Sequence, residues 1–180
     1  MKTTTMDPSF IQLLESPQRF HYKDLWLQET DPLRRKVLEL FTFGTIQHIR
    51  DDTPMTAGML RKLQQLSIVS LSERLRELPY GLIEQECGIR DDDTVEQQLM
   101  QLREFFEVRL DSPARLATID RWFDCRDVYG GERELLIVPR PSTNRDSLIQ
   151  DLESWHRKLH TEILGHQRSF DHNAFSHGPK

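Results

Sequence analysis

Residues 60–80, read LRKLQQLSIVSLSERLRELPY, constrain the fold more than any other stretch of the chain. Leu60, Leu63, Leu66, Val69 and Leu71 recur at helical spacing, Ile68 and Leu75 widen the stripe, and Pro79 cannot continue a helix interior. The expectation is a long core-facing helix that ends before Pro79, with a second, shorter helix starting near Tyr80. The chain around it must supply the surface against which that stripe is buried.

Upstream, residues 8–15 read as a short helix closed by Ser16-Pro17, residues 21–28 as a second piece, and Thr30-Asp31-Pro32 as the cap and start of a helix running to Ile49. Gly44 interrupts that last pattern as a close-packing point or a weak spot. Thr56 is the expected N-cap of the long helix, after the turn of residues 50–54. Downstream, Gly88 stops the short helix, and residues 91–94 cap another in which Val95, Leu99, Leu102, Phe105 and Phe106 form a stripe. Two β-like runs follow at 108–110 and 116–123, with a third strand or extended wing expected at Leu135–Val138. Three helices followed by a small hairpin describe a winged helix.

From Asp146 the helical pattern returns, with Leu148, Leu152, Trp155, Leu159 and Ile163 on one seam. Such a seam either folds back on its own domain or pairs with helices of other chains. The predicted organisation is mainly α: short N-terminal helical hairpins over 1–55, a winged-helix subdomain with extended wing or linker over 56–145, a separate C-terminal helix over 146–168, and a disordered tail over 169–180.

With 37% hydrophobic residues in 180, the chain can bury a real core. No apolar run is long enough to cross a membrane, the first ten residues lack the apolar core of a signal peptide, and Cys87 and Cys125 have no CxxC spacing. A reducing compartment, cytoplasm or nucleus, is expected. His156 and His160 stand one turn apart, but Arg157 occupies the place where the zinc-helix motif has its glutamate. Glu84 and Glu86 would raise the Cys87 thiol pKa, and no phosphate-binding loop or nucleophile elbow is present. No cofactor, metal or catalytic residue is assigned.

A winged helix also raises DNA binding as an alternative. Its third helix would present Arg103 against Glu96, Glu104 and Glu107, preceded by three aspartates, in a chain of net charge −5, and these charges argue against nucleic acid.

Several separated segments resemble one family. Leu60-Arg61-Lys62-Leu63, Leu66-Ser67-Ile68-Val69-Ser70-Leu71 and Pro79-Tyr80 stand in the order and spacing of the PCI domain of the seventh-subunit family of the COP-9 signalosome. They are less similar to the related subunits of the proteasome lid or of translation initiation factor three. Leu14-Glu15-Ser16-Pro17, Phe41-Thr42-Phe43-Gly44-Thr45, Cys125-Arg126-Asp127-Val128 and Leu152-Glu153-Ser154-Trp155 extend the resemblance over about residues 10–168. The N-terminal helical portion is shorter than in that family, and residues 129–144 look like an insertion.

The resemblance implies a non-catalytic scaffold subunit whose partners are other PCI and MPN subunits. Its winged helix would join theirs in an arc, and its last helix would enter a shared bundle. The complex would remove the ubiquitin-like modifier Nedd from cullin ligases through a different, zinc-bearing subunit. Leu60, Leu63, Leu66, Val69, Leu71, Pro79 and Tyr80 form the PCI motif and core. Leu148, Leu152, Trp155, Leu159 and Ile163 form the expected protein interface.

Overall fold

The computed structural model describes residues 6–51, 53–139, 145–158 and 160. The chain divides into two units, 1–139 and 140–180. In the first, α1 (Pro8–Glu15), α2 (Lys23–Gln28), α3 (Pro32–Phe43), a 3₁₀ turn (Ile46–His48) and α4 (Ala57–Arg74) precede β1 (Glu77–Pro79), α5 (Tyr80–Cys87), α6 (Asp92–Gln101), β2 (Phe106–Asp111) and β3 (Leu116–Trp122). The second holds α7 (Arg145–Lys158).

Helix starts follow local chemistry. The carboxylates of Asp7, Asp31 and Asp91 and the hydroxyl of Thr56 accept from the backbone N–H groups of Ser9, Arg34, Thr94 and Met59, donors that a helix N-terminus otherwise leaves unpaired. α5 ends on Gly88 at φ 62°, a left-handed conformation that glycine adopts without a Cβ penalty.

The ends differ from expectation in three places, each for a tertiary reason. α3 stops at Phe43 rather than Ile49, because at Gly44 the chain turns so tightly over Leu40 that a Cβ there would lie 2.7 Å from the Leu40 carbonyl oxygen. α4 stops at Arg74, before Pro79 can act. Residues 77–79 are drawn into an antiparallel ladder with 116–118, and Pro79 instead precedes the first turn of α5. α6 stops at Gln101, so Phe105 and Phe106 reach the core from a turn and from β2, not from a helical stripe.

The sheet order is β1-β3-β2, all antiparallel, with a bulge between Glu107 and Val108. Its third strand is β1. Residues 135–138 are irregular, because the backbone N–H groups of Leu136, Ile137 and Val138 are spent on the buried carboxylate of Glu39 at 2.7–2.9 Å.

α4 lies at the centre of this unit and is buried on more than one face. Met59, Leu63, Leu66, Ile68, Val69 and Leu71 are buried, and so are the polar Lys62, Gln65, Ser67 and Ser72. The two ends of the expected stripe, Leu60 and Leu75, are 39% and 40% exposed.

After β3 the chain doubles back over the N-terminal helices as a strap held by charged side chains. Arg126 donates to Phe41 O (2.7 Å), Gly44 O (2.6 Å) and Ser70 Oγ (2.8 Å), joining the end of α3 to α4. Asp127 accepts from the N–H groups of Tyr22 (2.7 Å) and Lys23 (3.0 Å) at the start of α2, and Arg133 donates to Trp26 O and Glu29 O at its end. A short helix of six residues thus has a charge of the favourable sign bonded to backbone groups at each end, an anion at its start and a cation at its end. Tyr129 closes the strap with edge-to-face contacts to Trp26 and Phe43.

His21 adds a titratable tie, with Nε2 3.0 Å from Asp124 and Nδ1 3.1 Å from Asp127. Partial burial pulls its pKa down, but the hydrogen bonds and charges of the two carboxylates outweigh this and leave it above 6.5. With the folded pKa above the unfolded one, the stabilisation is complete below the unfolded value and is lost as pH rises through the folded value. The melting-temperature gap between wild type and His21→Gln is therefore expected to be full below about pH 6.5 and to narrow as the pH rises above it. A gap independent of pH would show that the imidazolium charge does not hold the strap.

Candidate protein-interaction surfaces

Burial, with Glu86 adding to it, pushes the Cys87 thiol up to about 12, and the thiol of exposed Cys125 is also raised. His156 and His160 bring their rings to 4.5 Å between centroids. Among the described residues no group of three His, Cys, Asp or Glu side chains could hold a metal ion, and no helix is long and apolar enough to cross a membrane.

The hairpin tip and α6 are tied to each other by charge. Arg115, at φ 50°, lies between α5 and α6, with Nη2 2.7 Å from Asp92 and 2.9 Å from Glu84. The bond from Arg115 holds the Asp92 carboxyl below its ordinary range, and Asp92 in turn raises Arg115. Glu96 accepts from the hydroxyls of Tyr80 (2.9 Å) and Ser112 (2.5 Å). Burial and Glu96 together push the Tyr80 phenol up to about 12. Arg115, at the hairpin tip, is thus already paired, beside a helix that opens with Asp91, Asp92 and Asp93.

Among the described residues, two surfaces carry groups that can take a protein partner. The first is the outer edge of β2, which pairs with β3 on one side only. Along it Val108 and Leu110 are half-buried while Glu107, Arg109 and Asp111 are exposed, an alternation that leaves one face packed and the backbone of the edge available. Arg109 bonds Asp120 of β3 at 2.8 Å, so the exposed face of the hairpin is itself pinned.

The second surface is α7. Leu152 and Trp155 are 60% and 63% exposed, and Ile149, one turn before Leu152, is 44% exposed. Ile149 was not part of the expected seam, although its spacing of three from Leu152 signals the same face. Leu148 lies within the helix. Leu159 and Ile163, and the tail from residue 169, lie outside the described residues. Of the expected motif, Leu63, Leu66, Val69, Leu71 and Tyr80 are in the core, while Leu60 and Pro79 are exposed. The structure thus separates a folding set around α4 from an exposed apolar set on α7.

No protein-family model matches the chain. Among characterised proteins it is similar to the COP9 signalosome complex subunit 9 of Saccharomyces cerevisiae, 42% identical over 154 residues that cover 86% of this chain and 95% of that protein. The subunit 9 of Eremothecium gossypii is 30% identical over 150 residues, 82% of this chain and 92% of that protein. The COP9 signalosome complex subunit 7 of Drosophila melanogaster is 31% identical over 87 residues, 46% of this chain and 27% of that protein. The resemblance to a signalosome subunit holds, and the relatives that match along most of the chain are subunit 9 proteins.

Proposed function

Because the chain belongs to the COP9 signalosome subunit 9 family, we propose that it is a non-catalytic scaffold subunit of that complex, which it joins through the edge of its sheet and through α7. The observation that carries this reading is the exposure of Ile149, Leu152 and Trp155 on one helix. Large apolar side chains left in water gain about 1.5–3 kcal/mol each when a partner covers them fully. A helix of this kind suits a bundle built with helices of other chains.

The first unit supports a PCI-type winged helix. Its succession α4, β1, α5, α6, β2, β3 gives a helix, a short strand, two helices and a hairpin, with the short strand pairing beside the hairpin. In this reading residues 1–55 form the N-terminal helical part, 56–145 the winged-helix subdomain and 146–168 the bundle helix, with a tail over 169–180. The open edge of β2 is the place for a neighbouring PCI subunit to extend the sheet. The chain then contributes position, in cytoplasm and nucleus, to a complex that takes Nedd off cullin ligases on a zinc-bearing MPN subunit.

Mass spectrometry of proteins recovered with the tagged full-length chain tests the assignment. Other signalosome subunits are expected in stoichiometric amounts. Recovery of proteasome-lid or initiation-factor subunits in their place would move the chain to a related PCI complex.

A further inference from the structure

The order of charges along the outer edge of β2 is self-complementary. On the other side of the sheet, the Ile119 N–H donates to Arg76 O at 2.9 Å and the Arg115 carbonyl accepts from the Tyr80 N–H at 2.9 Å, so the odd positions from 115 to 119 turn their backbone groups towards β1. Backbone groups alternate sides along a strand. Leu116 and Thr118 therefore turn theirs towards β2, where their partners are Asp111 and Arg109. Val108 and Leu110 are left as the residues whose N–H and C=O groups point outward, unmatched within the sheet.

Glu107, Val108 and Arg109 set an anion, a neutral residue and a cation in a row, with both charged side chains on the exposed face. An antiparallel copy centred on Val108 places Glu107 opposite Arg109 of the copy, and a two-fold interface does so twice. Val108 then exchanges both backbone bonds with Val108 of the copy, and each Leu110 N–H meets the Phe106 carbonyl across the junction. The Phe106 N–H is already spent on Leu102 O at 3.3 Å. Glu107 has no hydrogen bond or ion pair among the described residues, and Arg109 uses one nitrogen on Asp120 at 2.8 Å, which leaves donors for a second carboxylate.

Other registers fit worse. Sliding the copy by two residues sets Arg109 against Arg109 and Glu107 against Asp111, like charges directly opposite. Sliding it by two more brings Arg109 to Asp111, but that carboxylate already accepts from the Ala114 N–H at 3.0 Å, and the Ser112 carbonyl from the Arg115 N–H at 3.1 Å. We infer that β2 pairs antiparallel with β2 of a second copy of this chain, joining two three-stranded sheets across a two-fold axis at Val108. An open edge invites unselective pairing, and the copy shields it. The dimer occupies the edge proposed above for a neighbouring subunit, so self-pairing and entry of that neighbour exclude each other. The inference rests on the sheet alone and not on the signalosome assignment.

Sedimentation equilibrium of the purified full-length chain over a concentration series tests it. A reversible monomer–dimer equilibrium is expected. Glu107→Arg and Arg109→Glu each set like charges opposite one another twice, and each should weaken the dimer about tenfold or more while the monomer stays folded by circular dichroism. Mixed in equal amounts, the two variants again face each other with opposite charges, and a heterodimer of nearly wild-type affinity is expected. A wild-type chain that stays monomeric throughout the series would overturn the inference. So would single variants that stay apart when mixed, or a dimer untouched by Glu107→Arg, as one held together through α7 would be. Should Arg109→Glu fail to fold for want of its Asp120 pair, Glu107→Arg decides alone, since Glu107 is exposed and has no described partner to lose.

Discussion

Replacing Arg126 by methionine is expected to cost about 3–5 kcal/mol of folding stability, the largest single effect in the chain. The guanidinium is almost completely buried, and it ties the strap to the end of α3 and to α4. Its two terminal nitrogens reach Phe41 O, Gly44 O and Ser70 Oγ, acceptors at the end of α3 and in the C-terminal part of α4. Methionine fills much of the same volume but donates nothing. The carbonyls would be left buried and unpaired, each at a cost of about 1–3 kcal/mol.

The charge survives burial because its surroundings support it. Desolvation lowers the Arg126 pKa to about 10, opposed by Glu73, Asp127 and Tyr22, so the side chain remains a cation at neutral pH. Lysine in its place would keep the charge but lose the planar fork that serves acceptors on two sides, and it should recover only part of the loss. The check is urea unfolding of wild type, Arg126→Met and Arg126→Lys followed by circular dichroism. A midpoint in Arg126→Met within error of wild type would show that the strap is held by Tyr129 and the Asp127 contacts instead.

Arg126 also marks where sequence reasoning stops. Asp31, Thr56, Asp91 and Gly88 announce their helix boundaries because the groups they satisfy lie within a few residues. Arg126 acts on Phe41 and Gly44, and Glu39 acts on Leu136 through Val138, across most of the first unit. Nothing local distinguishes these residues from solvated charges. Lys62 sits among leucines in a helix that reads as amphipathic. Its burial follows only once residues 16–20 fold back and bring Phe20 over it.

The same reasoning explains the strand that was not anticipated. Glu-Leu-Pro is too short and too poor in β-branched residues to signal a strand, and only its pairing with residues 116–118 makes β1. Leu135–Val138 has the composition of a strand, yet its N–H groups go to Glu39. On α7 the periodicity of the sequence is enough to define an apolar face.

Leu152 and Trp155 provide the second large effect. Both side chains are more than half exposed, so changing them to glutamate should leave the first unit folded and its melting temperature unchanged. In a helical bundle the same change places two charges where apolar surface was to be covered. Losing the burial of a Leu and a Trp, and desolvating two carboxylates, amounts to more than about 4 kcal/mol, or a thousandfold in affinity. The decisive measurement is recovery of signalosome subunits with tagged full-length chain, wild type against the Leu152→Glu/Trp155→Glu double variant, at equal expression. A scaffold that enters a shared bundle predicts that the variant loses nearly all of its partners. Equal recovery of the same subunits by both proteins would contradict it.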